Sequence, residues 1–232
     1  MMHARDLLDE GARALPGDAA RREATLLLRH VLGVSDAWLI AHQEDVVDAV
    51  QAGAFRDLIE RRARGEPVAY LIGTRGFHDI ELRVAPGVLI PRPETEVLVD
   101  LALQRIPADA DCRVADLGTG SGAIALAIAR ARPQARMIAT DASDDALDVA
   151  RGNAARLRID NVEFRRGDWY AALAGEHLDV IVSNPPYIAE GDPHLREGDL
   201  RFEPAAALAS GADGLDAIRA IVRSAREHLR NG

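Results

Sequence analysis

The sequence predicts an α/β domain with a doubly wound parallel sheet, preceded by a small helical bundle and a linking β-hairpin, and three observations carry that prediction. From Arg113 onward, apolar runs of strand length alternate with helical ones: RVADLG then AIALAIARARP, ARMIATD then DALDVARGNAARL, VEFRRGD then a short loop, and LDVIVSN then a long one. Strands separated by helices of this length pair in parallel, with helices covering both faces of the sheet. From Leu7 to about Arg64 the apolar positions instead recur at spacings of three and four, in ATLLLRHVLGV and AFRDLIERRARG, and nothing alternates at period two. Between these regions Gly65, Pro67, Gly73, Gly76, Pro86, Gly87, Pro91 and Pro93 punctuate two short extended runs, the second marked by Phe77, Ile80, Leu82 and Val84.

Taken in order, Gly33 is placed to cap the end of one helix, and Ser35 or Asp36 to open the next, AWLIAH. Thr95 precedes the apolar helix EVLVDLALQRI, which ends before Pro107. The last helix runs from about Leu215 to Leu229, and the chain stops at Asn231 and Gly232, where a glycine-containing turn leads into another strand in sheets of this kind. Without such a strand the run VIVSN borders an exposed apolar edge, which natural sheets avoid, so the sheet is expected to be incomplete at its C-terminal side. The expected divisions are a helical recognition domain at 1–66, a hairpin linker at 67–92 and the α/β domain at 93–232.

Composition narrows the function. With 232 residues and 48% apolar content the chain holds one sizeable domain and a small accessory one, outside the disordered and fibrous classes. No apolar stretch reaches the roughly 20 residues that span a bilayer, and MMHARDLLDEGARAL is a mixed-charge amphipathic run, not a signal peptide, which predicts no membrane association and a cytoplasmic location. Cys112 is the single cysteine, so an internal disulfide and a cysteine-rich metal site are excluded. The histidines His3, His30, His42, His78, His177, His194 and His228 share no ligand spacing, and no metal is expected. A formal net charge of -9 argues against binding nucleic acid mainly through phosphates. The run RRARG at 61–65 reads as a solvated helix end, with ribosomal RNA or an acidic protein face as its alternative contacts. A monomer is the default expectation.

The first chemical motif is Asp116-Leu117-Gly118-Thr119-Gly120-Ser121-Gly122, at the end of a strand and the start of a helix. Open α/β sheets bind nucleotide-like ligands there, because glycines let the backbone approach closely while the first helical N–H groups remain free to donate. Gly118, Gly120 and Ala123 also satisfy the dinucleotide fingerprint, and Asp141 at the end of the next strand suits ribose hydroxyls under either reading. The region therefore indicates an adenosine cofactor without choosing one. Asp116 leans toward S-adenosylmethionine, since a carboxylate suits an ammonium or sulfonium cation and is unwelcome beside a pyrophosphate. After the third strand, Asp168 is placed for an adenine amino group and Trp169 for stacking.

The second motif, Asn184-Pro185-Pro186-Tyr187, follows the fourth strand directly. Its prolines fix φ, remove two donors and leave carbonyl oxygens projecting from a rigid turn. A planar NH2 group is a poor nucleophile because its lone pair is delocalised. If the Asn184 side-chain oxygen and the Pro185 carbonyl each accept one of its N–H groups, the lone pair is localised toward an incoming methyl group without a strong base. Tyr187 would close the site with its ring.

At this point the chain resembles the Rossmann-like class I S-adenosylmethionine methyltransferases that modify amino groups. Within them it resembles the HemK/PrmC family of peptide chain release factor glutamine methyltransferases, along nearly its whole length. The resemblance is carried by GEPVAYLIG at 65–73, LIPRPETE at 89–96, DLGTGSGAIALAIA at 116–129, SNPPYI at 183–188 and DPHLREGDLRFEP at 192–204. The tetrapeptide alone is shared with amino-methyltransferases acting on DNA and RNA. The resemblance implies S-adenosylmethionine held by Gly118, Thr119, Gly120, Ser121, Gly122, Asp141 and Trp169, with Asp116, Asp168 and Asn184 beside it. It implies a substrate glutamine, in the GGQ loop of a release factor, held by Asn184, Pro185, Pro186 and Tyr187, with Asn184, Pro185 and Tyr187 as the catalytic set. It also implies that the helical domain helps grip the release factor, and places Arg92, Glu94 and Thr95 near the cofactor without a catalytic part. The resemblance further implies strands beyond the point where this chain ends. The alternatives that remain are a nucleic acid adenine or cytosine amino-methyltransferase using the same tetrapeptide on a flipped base, a nicotinamide-dependent oxidoreductase, and a silent binding module.

Overall fold

The computed structural model describes residues 2–230; Asn231 and Gly232, the residues on which the sequence expects a turn, lie outside them. The chain divides into one unit up to Gly73 and a second from Thr74.

In the first unit β1 (Met2–His3) pairs antiparallel with β2 (Val46–Val47), and the remaining elements are α1 (Ala4–Ala14), α2 (Ala20–Leu32), α3 (Asp36–Ala41), α4 (Ala49–Ala63) and α5 (Val68–Ile72). Leu7, Leu27, Leu28 and Phe55 are fully buried at its centre, which is what the three-and-four spacing of α1, α2 and α4 produces. Gly33 ends α2 in the left-handed conformation, and the Ser35 hydroxyl accepts the Trp38 N–H at 3.2 Å to open α3. The span expected as an extended linker is divided: Val68–Ile72 is a short helix of the first unit, and the hairpin belongs with the second. A short apolar run does not distinguish helix from strand by its period.

The second unit opens with that hairpin, β3 (Thr74–Phe77) and β4 (Ile80–Arg83), followed by α6 (Glu96–Arg105). Then come β5 (Arg113–Leu117), α7 (Ala123–Ala131), β6 (Arg136–Asp141), α8 (Asp144–Leu157), β7 (Val162–Arg166), β8 (Val180–Ser183) and α9 (Asp216–His228). The four strands β5 to β8 form one parallel sheet in the order β7-β6-β5-β8. Central β5 is buried from Val114 to Leu117, as a parallel strand covered on both faces must be. Helix α7 is buried from Ala123 through Ala129; its small alanines admit sheet and helix neighbours at close range on all sides. Among the described residues β8 pairs in register with β5, while Leu229 bridges Leu178 just upstream of the strand.

The order of the strands fixes the site. From β5 the chain winds out through β6 and β7, then returns to place β8 on the other side of β5. The connections therefore diverge at the carboxyl ends of β5 and β8, and a crevice opens there. Gly118 leaves the first of these ends and Asn184 the second.

Candidate functional site

A cavity of 530 Å³ lies at that crevice, within the usual range for small-molecule sites. The two motifs meet in it: Gly118, Gly120, Asp141, Asp168 and Trp169 line it together with Asn184, Pro185 and Pro186.

The glycine turn is built from backbone. The Gly118 and Thr119 N–H groups both donate to the Thr140 carbonyl at 2.9 Å, which ties the turn to the end of β6. Asp141 continues the tie: Oδ2 accepts the Gly120 N–H and Oδ1 the Ser143 N–H, each at 2.9 Å. Each carboxylate oxygen retains lone-pair capacity toward the cavity. Behind the turn, buried Asn153 of α8 donates to the Ser121 carbonyl at 2.9 Å and to the Arg83 carbonyl at 3.0 Å, and accepts the Arg83 N–H at 2.7 Å, which fastens turn and hairpin together. Gly118 has φ +73°, and a Cβ there would point at the Trp169 ring at 3.4 Å. That contact is an ordinary one, and it is the positive φ that calls for glycine at this point of the turn. Trp169 itself has φ +46°, a conformation that is costly for a bulky side chain and that concentrates at binding sites.

Other expected residues stand elsewhere. Thr119 and Ser121 are buried and do not line the cavity, and Gly122 serves as the left-handed entry to α7. Asp116 is fully buried and turned inward: its Oδ2 accepts the Thr119 hydroxyl at 2.7 Å and the Ala125 N–H at 3.2 Å, and its Oδ1 has no hydrogen-bond partner. Burial pushes its carboxyl up to about 7; the Thr119 hydroxyl and the Ala125 N–H oppose that rise, and the nearby Asp141 charge adds to it. Tyr187, expected to close the site, stands 62% exposed and outside the cavity wall.

Besides Ala142, Ser143, Ala146 and Gly167, two wall segments escaped sequence reasoning: Gly87, Val88 and Leu89 on one side, and Pro204, Ala206 and Ala207 on another. They are joined through Glu203, whose side chain is wholly buried. One Glu203 oxygen accepts the Ile90 N–H at 2.9 Å and the other pairs with Arg92. A charged residue buried without a partner is rare, so an acid between Phe202 and Pro204 in an otherwise apolar stretch was the available signal. Asn184 is also tethered from a distance, its Nδ2 donating to Thr95 Oγ1 at 3.2 Å.

The chain matches the family described as the PrmC N-terminal domain over residues 6–73 and that described as the methyltransferase small domain over residues 94–211. Release factor glutamine methyltransferase of Xylella fastidiosa is 56% identical over 91% of this chain and 77% of its own length. The Burkholderia pseudomallei and Escherichia coli proteins of the same name are 51% and 46% identical, over 95% and 93% of this chain and 79% and 77% of their own lengths. Among solved structures, a 16S rRNA N2 methyltransferase of T. thermophilus in complex with AdoMet and guanosine is similar with a TM-score of 0.52 and 22% identity, covering 68% of this chain and 39% of that one, a likeness of fold. Its sheet, its two motifs at one crevice and these matches agree: the chain belongs to the release factor glutamine methyltransferase family.

Proposed function

We propose that this protein transfers a methyl group from S-adenosylmethionine to the side-chain amide nitrogen of the glutamine in the GGQ loop of a peptide chain release factor. The observation that carries the reading is the shared cavity: an adenosine-type half made by Gly118, Gly120, Asp141 and Trp169 meets an amide-binding half made by Asn184 and Pro185.

The cofactor fits the residues present. Gly118 and Trp169 line the same cavity, Asp141 keeps lone pairs for vicinal hydroxyls, and Asp168 reaches that cavity too, where an exocyclic amine needs an acceptor. When bound, S-adenosylmethionine supplies a methyl carbon on a positively charged sulfur, electrophilic toward a localised nitrogen lone pair. Asn184 Oδ1 and the Pro185 carbonyl take the two N–H groups of the substrate amide and orient it. Pro185 and Pro186 hold those acceptors rigid, so little reorganisation accompanies the reaction. Transfer would form the N–C bond as the methyl–sulfur bond breaks and its electron pair returns to sulfur; the nitrogen would then be cationic, and one of the protons already directed at Asn184 and Pro185 would depart to water. Tyr187, exposed in the free protein, covers the planar amide once a substrate loop docks. The alternative of a nucleic acid substrate has less support: Arg61, Arg62 and Arg64 of the basic run at 61–65 pair with Glu66, Glu23 and Glu60. No helix among the described residues is long and apolar enough to cross a membrane.

The test incubates the enzyme with methyl-labelled S-adenosylmethionine and either a release factor or its Gln-to-Ala loop variant. Label is expected on the first alone, and equal labelling of both sinks the glutamine assignment.

A further inference from the structure

We propose that Thr95 is a positioning residue for the transfer: its hydroxyl, hydrogen-bonded to Asn184 Nδ2, tethers that amide and fixes its plane, with Oδ1 left for the substrate nitrogen. This inference rests on the methyl-transfer reading and adds what sets the geometry of its central side chain. A primary amide has two orientations related by a half-turn about χ2, nearly identical in shape and opposite in polarity. One presents an acceptor to the substrate NH2; the other presents donors to donors and localises no lone pair. In the structure Asn184 Nδ2 donates to Thr95 Oγ1 at 3.2 Å, and no donor among the described residues takes up Oδ1. Asn184 also precedes a proline, which restricts its backbone and leaves the side-chain torsions as the freedom to be controlled.

The local structure around Thr95 points the same way. It occupies the position before α6, where a threonine ordinarily spends its hydroxyl on an N–H of the first helical turn. Here its backbone is already helical, at φ -70° and ψ -19°, and its side chain makes no capping bond. The hydroxyl is spent instead on a residue 89 positions away. The segment that carries it is anchored from behind. Pro93 has a fixed φ, the Thr95 N–H donates to the Arg92 carbonyl at 3.0 Å, and Arg92 pairs with buried Glu203, which also holds the Ile90 N–H. A rigid strip from Ile90 to Thr95 therefore sets where the hydroxyl stands, and its bond to Nδ2 fixes the plane in which the Asn184 amide stands at the cavity wall.

The test compares Thr95→Val, which keeps the shape and removes the hydroxyl, with Thr95→Ser, which keeps the hydroxyl and removes the methyl. Steady-state transfer from labelled S-adenosylmethionine to a release factor gives kcat and KM, and calorimetry gives cofactor affinity. Thr95→Val is expected to lower kcat about tenfold, roughly what one lost orienting hydrogen bond is worth, while KM and cofactor affinity stay within about threefold. Thr95→Ser is expected to stay within about twofold of the parent kcat. Should Thr95→Val fail to bind cofactor, Thr95→Ala carries the same expectation. An unchanged kcat without the hydroxyl overturns the proposal. So does an equal fall in the serine variant, because a residue that merely packs responds to loss of its methyl group. Either result, with the parent enzyme labelling the release factor, leaves the methyl-transfer reading standing; no labelling by the parent overturns both.

Discussion

The two turns that meet at the carboxyl edge of the sheet reach their shapes by opposite means. Between Gly118 and Gly122 the chain uses freedom: all three glycines adopt positive φ, and the turn is pinned through N–H groups to Thr140 and Asp141 at the end of the neighbouring strand. Between Asn184 and Tyr187 it uses restriction, with two prolines in succession, and the pinning comes from Thr95, far away in the chain. A backbone cradle suits a cofactor recognised over its whole length and bound in every turnover. A fixed pair of oxygens suits a group that must be oriented to within a few tenths of an ångström for a single step. The difference teaches that damage to the first turn should appear mainly in binding and stability, and damage to the second mainly in rate.

The sharpest break is Asn184→Ala. Its loss removes one of the two proposed acceptors for the substrate amide, and transfer is expected to fall by about a thousandfold, at the upper end of what one oriented polar group contributes in an active site. Cofactor affinity by calorimetry is expected to stay within about threefold, since the glycine turn, Asp141 and Trp169 are untouched. A collapse of affinity in parallel with the rate would make Asn184 a cofactor or folding residue and erase the contrast between the turns.

The opposite break is Gly122→Ala. Gly122 has φ +84°, and a Cβ there meets Leu126 Cδ1 at 2.9 Å and Ala150 Cβ at 3.2 Å. Left-handed strain and overpacking together are expected to cost about 2–4 kcal/mol in a urea melt. Because the strain displaces the N–H groups of the turn, cofactor affinity is expected to drop by about tenfold or more, while kcat at saturating cofactor changes far less. That is the reverse of the Asn184 pattern.

The same contrast governs what was legible before the structure. The half proposed to hold the cofactor is written in one stretch plus two residues that end successive strands, so Gly118, Gly120, Asp141 and Trp169 were singled out from motif and strand order, and all line the cavity. The alternation of strands and helices likewise named all four strands of the sheet, because each is bounded by its own turn. The walls made by Val88, Leu89, Pro204, Ala206 and Ala207 were not found, since nothing local links residues joined across 111 positions by Arg92 and Glu203. Thr95 was read as a helix start, and rightly marks one, but its hydroxyl answers to a tertiary partner that overrides the local cap. Asp116 misled in the opposite sense. Its charge suggested a ligand contact, but it lies on central β5, fully buried, and its side chain turns inward to Thr119 and the first turn of α7.

That inward carboxyl gives the most specific effect. An unfolded Asp116 ionises near the ordinary 3.8, and the folded one holds its proton up to about 7 because burial penalises the charge. Across that window the native state binds more protons than the unfolded state, so this group makes stability fall as pH rises from about 4 to about 7, with no further loss above. Asp116→Asn keeps an oxygen for the Thr119 hydroxyl and the Ala125 N–H and places a neutral NH2 where the protonated acid has its OH. The variant is therefore expected to match the parent near pH 5 and to exceed it at pH 8, with the downward limb removed from a plot of unfolding free energy against pH. Parallel profiles would mean that the carboxyl is already ionised at pH 5 in the folded protein, stabilised by the first N–H groups of α7 more strongly than its burial opposes. In that case the glycine turn would be held by charge as well as by backbone freedom, and Gly122→Ala, which moves those N–H groups, would weaken the cofactor site more at pH 8 than at pH 5.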